Sequence, residues 1–271
     1  MTDRYAVIGN PVAHSKSPQI HAAFAAATSQ DMTYERLLAP LDGFAAAVDA
    51  FAADGGRGLN VTLPFKQQAF ALARTLTERA RIAGAVNTLR FDADGPLGDN
   101  TDGVGVTRDL VQNLRVALRG ADVLVLGAGG ATRGIVAPLL AEAPRTLTIA
   151  NRTVERAYAL AADFAHLADV RAASAAALED RRFDVVIHAT SAGVRGEEAL
   201  SWPDRLFAPG ALAYDLAYAE GPTDFLRWAA ARGAARCADG LGMLVEQAAE
   251  SFRLWRGVRP DTRAVLALLR P

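Results

Sequence analysis

Lys66 follows the polar run Asn60-Val61-Thr62-Leu63-Pro64-Phe65, and it is one of only two lysines among 29 basic residues; the other is Lys16. Elsewhere the chain uses arginine, whose guanidinium stays protonated, whereas an amine can give up and regain a proton. A lysine kept inside a polar motif therefore points to proton transfer. Pro64 suits a first helical turn, so Lys66 falls where the helix field disfavours a cation, and a nearby carboxylate would favour it again. Asp102, in Leu97-Gly98-Asp99-Asn100-Thr101-Asp102-Gly103, is the natural partner. It is equally a helix cap by spacing, and the two roles are compatible. Asn60, Thr62 and Asn87 are short polar groups at strand ends, able to hold substrate hydroxyls or to serve as turn and cap residues. Ser15 and Ser17 flank Lys16 before a helix, where hydroxyls make a carboxylate site or simple caps.

A second chemistry is written in Gly127-Ala128-Gly129-Gly130-Ala131, directly after the apolar run Asp122 to Leu126. Glycines between a strand and a helix let the backbone approach a pyrophosphate, which the helix N-terminus then favours. The third position of the G-x-G-x-x-G/A pattern is Thr132, so the strand–turn–helix context carries the reading. At the end of the next strand stands Asn151-Arg152-Thr153 rather than the acidic residue that suits NAD. Arg152 matches a 2′-phosphate, with Arg156 nearby, or is an ordinary solvated residue; Thr153 can also cap the following helix. The pattern favours NADP.

These residues need elements to hold them. Strands are expected at Tyr5 to Ile8, Thr33 to Leu38, Gly58 to Thr62, Thr88 to Phe91, Asp122 to Leu126, Thr146 to Ala150, Asp184 to Ile187 and Ala211 to Leu216. Helices are expected between them, including Pro18 to Ala27, Gly43 to Ala53, one from Gly103 to Leu118, and two at the end, Leu241 to Trp255 and Asp261 to Leu269. Alternation of this kind predicts an α/β protein with mainly parallel sheets. The length of 271 residues accommodates two such domains. A domain change is expected near Asp102 and a return to the first domain near Asp239, which divides the chain into a discontinuous domain, 1–102 plus 240–271, and a Rossmann-type dinucleotide-binding domain at 103–239.

Net charge is -1, which argues against nucleic acid as a partner. The single Cys237 permits no intrachain disulfide, fits a reducing compartment, and reads as a small buried hydrophobe. His14 and His21 lie seven apart without an acidic partner, so no metal site is expected. No leader peptide is visible, and no run approaches the ~18 apolar residues of a membrane span, so a cytoplasmic location is expected.

The residues resemble the shikimate dehydrogenase family over nearly the whole chain. The matching segments are Gly9 to Pro18 with His21, Asn60 to Lys66, Gly84 to Thr88, Gly98 to Gly103, Gly127 to Ala131, Asn151 to Thr153 and Asp239 to Ala249. The resemblance implies NADPH-dependent reduction of 3-dehydroshikimate to shikimate in chorismate and aromatic amino-acid synthesis, by a monomer or homodimer. It implies Lys66 and Asp102 as the acid/base pair and Ser15 and Ser17 as the carboxylate site. Thr62, Asn87 and Gln247 would line the substrate pocket, with Asn60 and Tyr218 close by. The first, discontinuous domain would bind the substrate, Gly240 and the backbone near Leu216 would approach the nicotinamide, and the active site would lie in the cleft between domains. Two departures stand out: His188 opens the run His188-Ala189-Thr190-Ser191-Ala192-Gly193 where relatives often have Asn, and Leu216 stands where some have Met. A quinate/shikimate dehydrogenase using NAD is the alternative; a non-catalytic sensor of NADP or shikimate is a further one.

Overall fold

A computed structural model describes residues 2–190 and 202–270; the expected segment Ser191-Ala192-Gly193 lies outside the described residues. The chain divides into two compact units, Met1–Gly105 with Leu244–Pro271, and Val106–Met243. Gly240 thus belongs to the second unit.

The first unit is built on a six-stranded sheet of order β2-β1-β3-β5-β6-β4, with β1 Asp3–Gly9, β2 Met32–Leu38, β3 Gly56–Val61, β4 Thr75–Leu76, β5 Thr88–Asp92 and β6 Gly95–Asp99. β1 pairs in parallel with both β2 and β3, and β4 with β6. β5 runs antiparallel to both neighbours; the tight turn at Gly95 (φ +111°) folds β6 straight back onto it. Helices α1 Ser17–Thr28, α2 Phe44–Ala53, α3 Lys66–Leu72 and α4 Glu78–Ala83 belong to this unit. Its core includes Ile8, Phe44, Val48, Leu59, Phe65, Val86 and Leu89. Val61 and Phe65 are buried while Thr62 and Lys66 stay partly exposed, so packing itself turns Thr62 and Lys66 outward.

The second unit holds a sheet of order β12-β11-β10-β7-β8-β9. Its strands are β7 Asp122–Leu126, β8 Thr146–Ala150, β9 Val170–Ala173, β10 Phe183–His188, β11 Phe207–Asp215 and β12 Arg236–Ala238. All pairs are parallel. Starting from β9, the sheet runs third, second, first, fourth, fifth, sixth strand, the doubly wound order of dinucleotide-binding folds, with its switch point between β7 and β10. Near-continuous burial of Val123 to Leu126 and Val185 to His188 fits strands covered on both faces. Here α6 is Gly130–Ala141, α7 Val154–Phe164 and α8 Asp224–Ala231.

α5 Asp102–Arg108, α9 Leu241–Arg256 and α10 Arg263–Leu269 complete the described helices. The expected helix from Gly103 to Leu118 is shorter. After Arg108 it widens into one π turn, Asp109–Asn113, and ends at Arg115, whose φ is +54°. The reason is tertiary. The buried Asp109 carboxylate accepts the Tyr214 hydroxyl at 2.7 Å and the Asn113 amide at 2.9 Å, and a Cβ at Gly242 would collide with it. Meeting those partners takes precedence over regular α geometry. Cys237, expected to be buried, is exposed, because the three-residue edge strand β12 shields only Ala238.

Candidate active site

Lys66 opens α3 and Asp102 opens α5. The Lys66 ammonium donates to Asp102 Oδ2 at 2.5 Å, with side-chain exposures of 25% and 8%. The ammonium therefore keeps an open side while the carboxylate is enclosed. The other carboxylate oxygen, Oδ1, accepts Asn87 Nδ2 at 2.8 Å.

The orientation of that amide is dictated by its surroundings. Asn87 Oδ1 accepts the backbone N–H of Thr101 at 2.9 Å, a group that can only donate, so Nδ2 must face Asp102. Thr88 Oγ1 donates to the same amide oxygen at 2.9 Å. The Asn100 amide accepts Asp102 N–H at 3.1 Å and donates to Ala85 O at 3.0 Å, fixing the start of α5.

The polar network continues inward. Asn60 Nδ2 donates to Ser251 Oγ at 2.9 Å and Thr88 Oγ1 at 3.1 Å, and Tyr34 OH donates to Asn60 Oδ1 at 2.8 Å. Burial pushes the Tyr34 phenol well above its ordinary range, an effect the nearby Ser17 hydroxyl offsets only in part. Gln247 takes Thr101 Oγ1 at 3.2 Å and Asn87 Nδ2 at 3.3 Å on its amide oxygen, and its NH₂ donates to Leu244 O at 2.9 Å. Asn60, Asn87, Asp102 and Gln247 thus form one hydrogen-bonded cluster with Lys66. Thr62 stands two residues beyond Asn60, its methyl set against Gly9 and its hydroxyl without a hydrogen bond among the described residues. Ser251, Thr88 and Thr101 join the cluster although their types and spacing did not single them out as site residues. Ser251 carried one readable signal, its position four residues after Gln247 on the same helix face.

Ser15 lies in the loop between β1 and α1, and Ser17 opens α1. Ser15 Oγ accepts Ser17 N–H at 3.2 Å, so its own proton remains free to donate. Asn10 N–H donates to Leu63 O at 3.0 Å and Thr62 N–H to Ile8 O at 2.9 Å, binding the loops after β1 and β3 together.

In the second unit, Gly127 adopts φ +117° at the end of β7, a conformation that only glycine reaches without strain. A Cβ there would lie 3.0 Å from Ala189 and Thr190, the residues that follow β10 across the switch point. At Gly129 and Gly130 a Cβ would meet nothing within 4 Å. Open space in front of the first turn of α6, with Ala128 and Ala131 in the same turn, fits a pyrophosphate. Thr132, which departs from the glycine pattern, is buried and donates to Gly127 O at 2.9 Å, so it secures the turn from inside. Asn151 donates to Thr153 O at 2.9 Å, and Arg152 and Thr153 are exposed beyond β8. Thr153 occupies the N-cap position of α7, but its side chain makes no capping bond, contrary to that part of the expectation. Leu216 N–H donates to His188 O at 2.9 Å, and a Cβ at Gly240 would strike the Leu216 carbonyl; these backbones are in contact. Tyr218 follows in the loop after β11.

His188 itself is buried at 2% exposure, stacked on Phe225 with centroids 4.6 Å apart. Its Nδ1 lies 3.0 Å from Asp215 Oδ1 and its Nε2 2.6 Å from Thr190 Oγ1. Asp215 also accepts Ala217 N–H at 3.1 Å and Thr223 Oγ1 at 2.5 Å. A carboxylate at Nδ1 places the ring proton there, so Nε2 accepts from Thr190.

Fold and site together define an α/β protein of the dinucleotide-binding class whose first unit carries a paired lysine and aspartate. Three family models match along the chain. Residues 7–89 match the shikimate dehydrogenase substrate binding domain, 109–195 shikimate / quinate 5-dehydrogenase, and 240–270 the shikimate 5'-dehydrogenase C-terminal domain. The chain is 60% identical over 271 residues to the shikimate dehydrogenase (NADP(+)) of Aromatoleum aromaticum, covering 99% of this chain and 97% of the relative. Against the enzyme of the same name from Dechloromonas aromatica it is 57% identical over 270 residues, covering 100% and 98%. Among solved structures, an Ael1 enzyme from Pseudomonas putida superposes with a TM-score of 0.92 at 49% identity, covering 98% of each chain. The shikimate 5-dehydrogenase of Thermus thermophilus in complex with NADP(H) and shikimate gives 0.87 at 35% identity, covering 99% and 98%. The chain belongs to the shikimate dehydrogenase family.

Proposed function

We propose that this protein reduces 3-dehydroshikimate to shikimate reversibly with NADPH, as an oxidoreductase of aromatic amino-acid biosynthesis. The observation that carries the reading is the Lys66–Asp102 contact, 2.5 Å long, with the ammonium on the open side of an enclosed carboxylate. When bound, NADPH supplies a hydride to the substrate ketone carbon. Lys66 gives a proton to the oxygen that gains charge, so the carbon–oxygen double bond becomes an alcohol. Asp102 holds the ammonium in place, and the partial exposure of Lys66 lets solvent return the proton. Ser15 and Ser17 bind the substrate carboxylate, Asn60, Thr62, Asn87, Gln247 and Tyr218 bind or border its hydroxyls, and Asp102 takes one of them as well.

Gly127 through Ala131 cradle the pyrophosphate, and Asn151, Arg152 and Thr153 take the 2′-phosphate. The Leu216 backbone and Gly240 border the nicotinamide. On this reading residues 1–102 and 240–271 carry the substrate and 103–239 the cofactor, in a cytoplasmic enzyme. The test is a steady-state assay of shikimate and of quinate oxidation, each with NADP⁺ and NAD⁺. Turnover with shikimate and NADP⁺ alone is the expected result. Comparable turnover with quinate or NAD⁺ moves the protein to the catabolic reading. Binding of NADP⁺ without turnover on any pair restores the sensor reading.

A further inference from the structure

Arg36 is an exposed residue of the edge strand β2, and no feature of its surroundings in sequence marks it. Its guanidinium closes on one atom: Nε donates to the Ser15 carbonyl oxygen at 3.1 Å and Nη2 at 2.6 Å. Ser15 lies 21 residues away in the loop between β1 and α1. The loop is also held by Ser15 N–H on Val12 O at 3.1 Å, Ile20 N–H on Lys16 O at 3.1 Å, Ser17 N–H on Ser15 Oγ at 3.2 Å, and Asn10 on Leu63 O at 3.0 Å and Ala39 O at 2.9 Å. None of these bonds restrains the Ser15 carbonyl, and the N-cap residue of α1, Lys16, makes no side-chain cap.

The charge of Arg36 is also uncompensated. Its sequence neighbour Glu35 is turned to Arg4, at 3.1 Å, and Arg36 enters no ion pair among the described residues. A guanidinium has five N–H donors, so two spent on one carbonyl leave three, together with the full positive charge.

We propose that Arg36 is the positioning and specificity residue of the carboxylate subsite. Its two-pronged hold on the Ser15 carbonyl orients the Ser15 and Ser17 hydroxyls, and its unpaired charge selects a monoanionic carboxylate over a neutral substrate. The inference rests on the reading of Ser15 and Ser17 given above and deepens it.

The experiment compares wild type with Arg36→Gln and Arg36→Lys in oxidation of shikimate and of its neutral methyl ester, with calorimetric binding of shikimate to the cofactor-free protein as a second readout. Arg36→Gln is expected to raise KM for shikimate by about tenfold, or ~1.4 kcal/mol, while kcat and the KM for NADP⁺ stay within about twofold. The ester, which lacks the charge, is expected to lose less than the acid. Arg36→Lys, which keeps the charge and loses the planar fork, should fall between. A KM for shikimate within about twofold of wild type in Arg36→Gln, or an equal loss for acid and ester, overturns the proposal. Ser15→Ala and Ser17→Ala separate the two levels of the argument. If they raise KM and Arg36→Gln does not, only the role of Arg36 fails; if neither serine matters, the carboxylate reading itself fails. Because Arg36 is exposed, an unchanged melting temperature confirms that the variants are folded.

Discussion

Asn87 holds the carboxylate of Asp102 from the side opposite Lys66, donating through Nδ2 at 2.8 Å. The carboxylate is thus pinned at both oxygens, one by the amine that would transfer protons and one by an amide with no freedom to flip. Asn87→Ala leaves the Thr101 N–H and one carboxylate oxygen buried without that partner. A loss of about 2 kcal/mol in stability is expected, with a fall in kcat of roughly tenfold or more as Asp102 loosens. Urea unfolding and steady-state turnover measure the two effects separately.

Lys66→Met removes the proton donor and keeps much of the stem. On the proposed mechanism kcat drops by about three orders of magnitude, while KM for shikimate changes little. Turnover close to wild type would remove Lys66 from the chemistry.

Arg152→Ala tests nucleotide choice. The KM for NADP⁺ is expected to rise on the order of tenfold to a hundredfold, as a charge-assisted phosphate contact is lost, with the KM for NAD⁺ nearly unchanged. Equal changes for both nucleotides would place the 2′-phosphate elsewhere.

At the end of β10, His188→Ala strips one partner from the buried Asp215 carboxylate and another from Thr190, and opens a hole against Phe225. A destabilisation of about 2–4 kcal/mol is expected, and His188→Asn, which keeps an amide donor, should recover part of it. Denaturant midpoints of the two variants decide the matter.

Acid should unfold the protein partly through His21. The ring is fully buried and stacked on Tyr34 with centroids 4.2 Å apart, and neither nitrogen has a well-formed hydrogen bond among the described residues, the Asn60 side chain offsetting the burial only in part. Burial lowers its pKa from 6.5 to about 3. Between these values the unfolded chain binds the proton and the folded chain does not. The contribution is therefore complete above about pH 6.5 and is lost as pH falls toward 3, with a slope approaching about 1.4 kcal/mol per unit. His21→Phe, neutral at every pH, should flatten that part of the stability profile in urea titrations between these limits.

The positions of the chemical groups along the chain were legible before any coordinates. Apolar runs of strand length followed by glycine placed Gly127 to Ala131 at a strand-to-helix turn, and Pro64 placed Lys66 at a helix start; both are local effects of backbone sterics. Spacing alone left Asp102, 36 residues from Lys66, as much a helix cap as its partner, and the family resemblance implied the pairing. Local preference is blind to contacts of longer range. It could not show that Ser251 reaches Asn60 across 191 residues, that Arg36 grips the Ser15 carbonyl, or that Thr153 leaves its capping bond unmade. It mistook exposed Cys237 for a core residue and read the π turn at Asp109 as plain helix. Residue order alone determined which groups occupy turns, strand ends and helix starts, because backbone preferences act over a few neighbours. Only the tertiary structure decided which of those groups share hydrogen bonds and which are buried, because sheet register and helix packing join residues that no local preference connects.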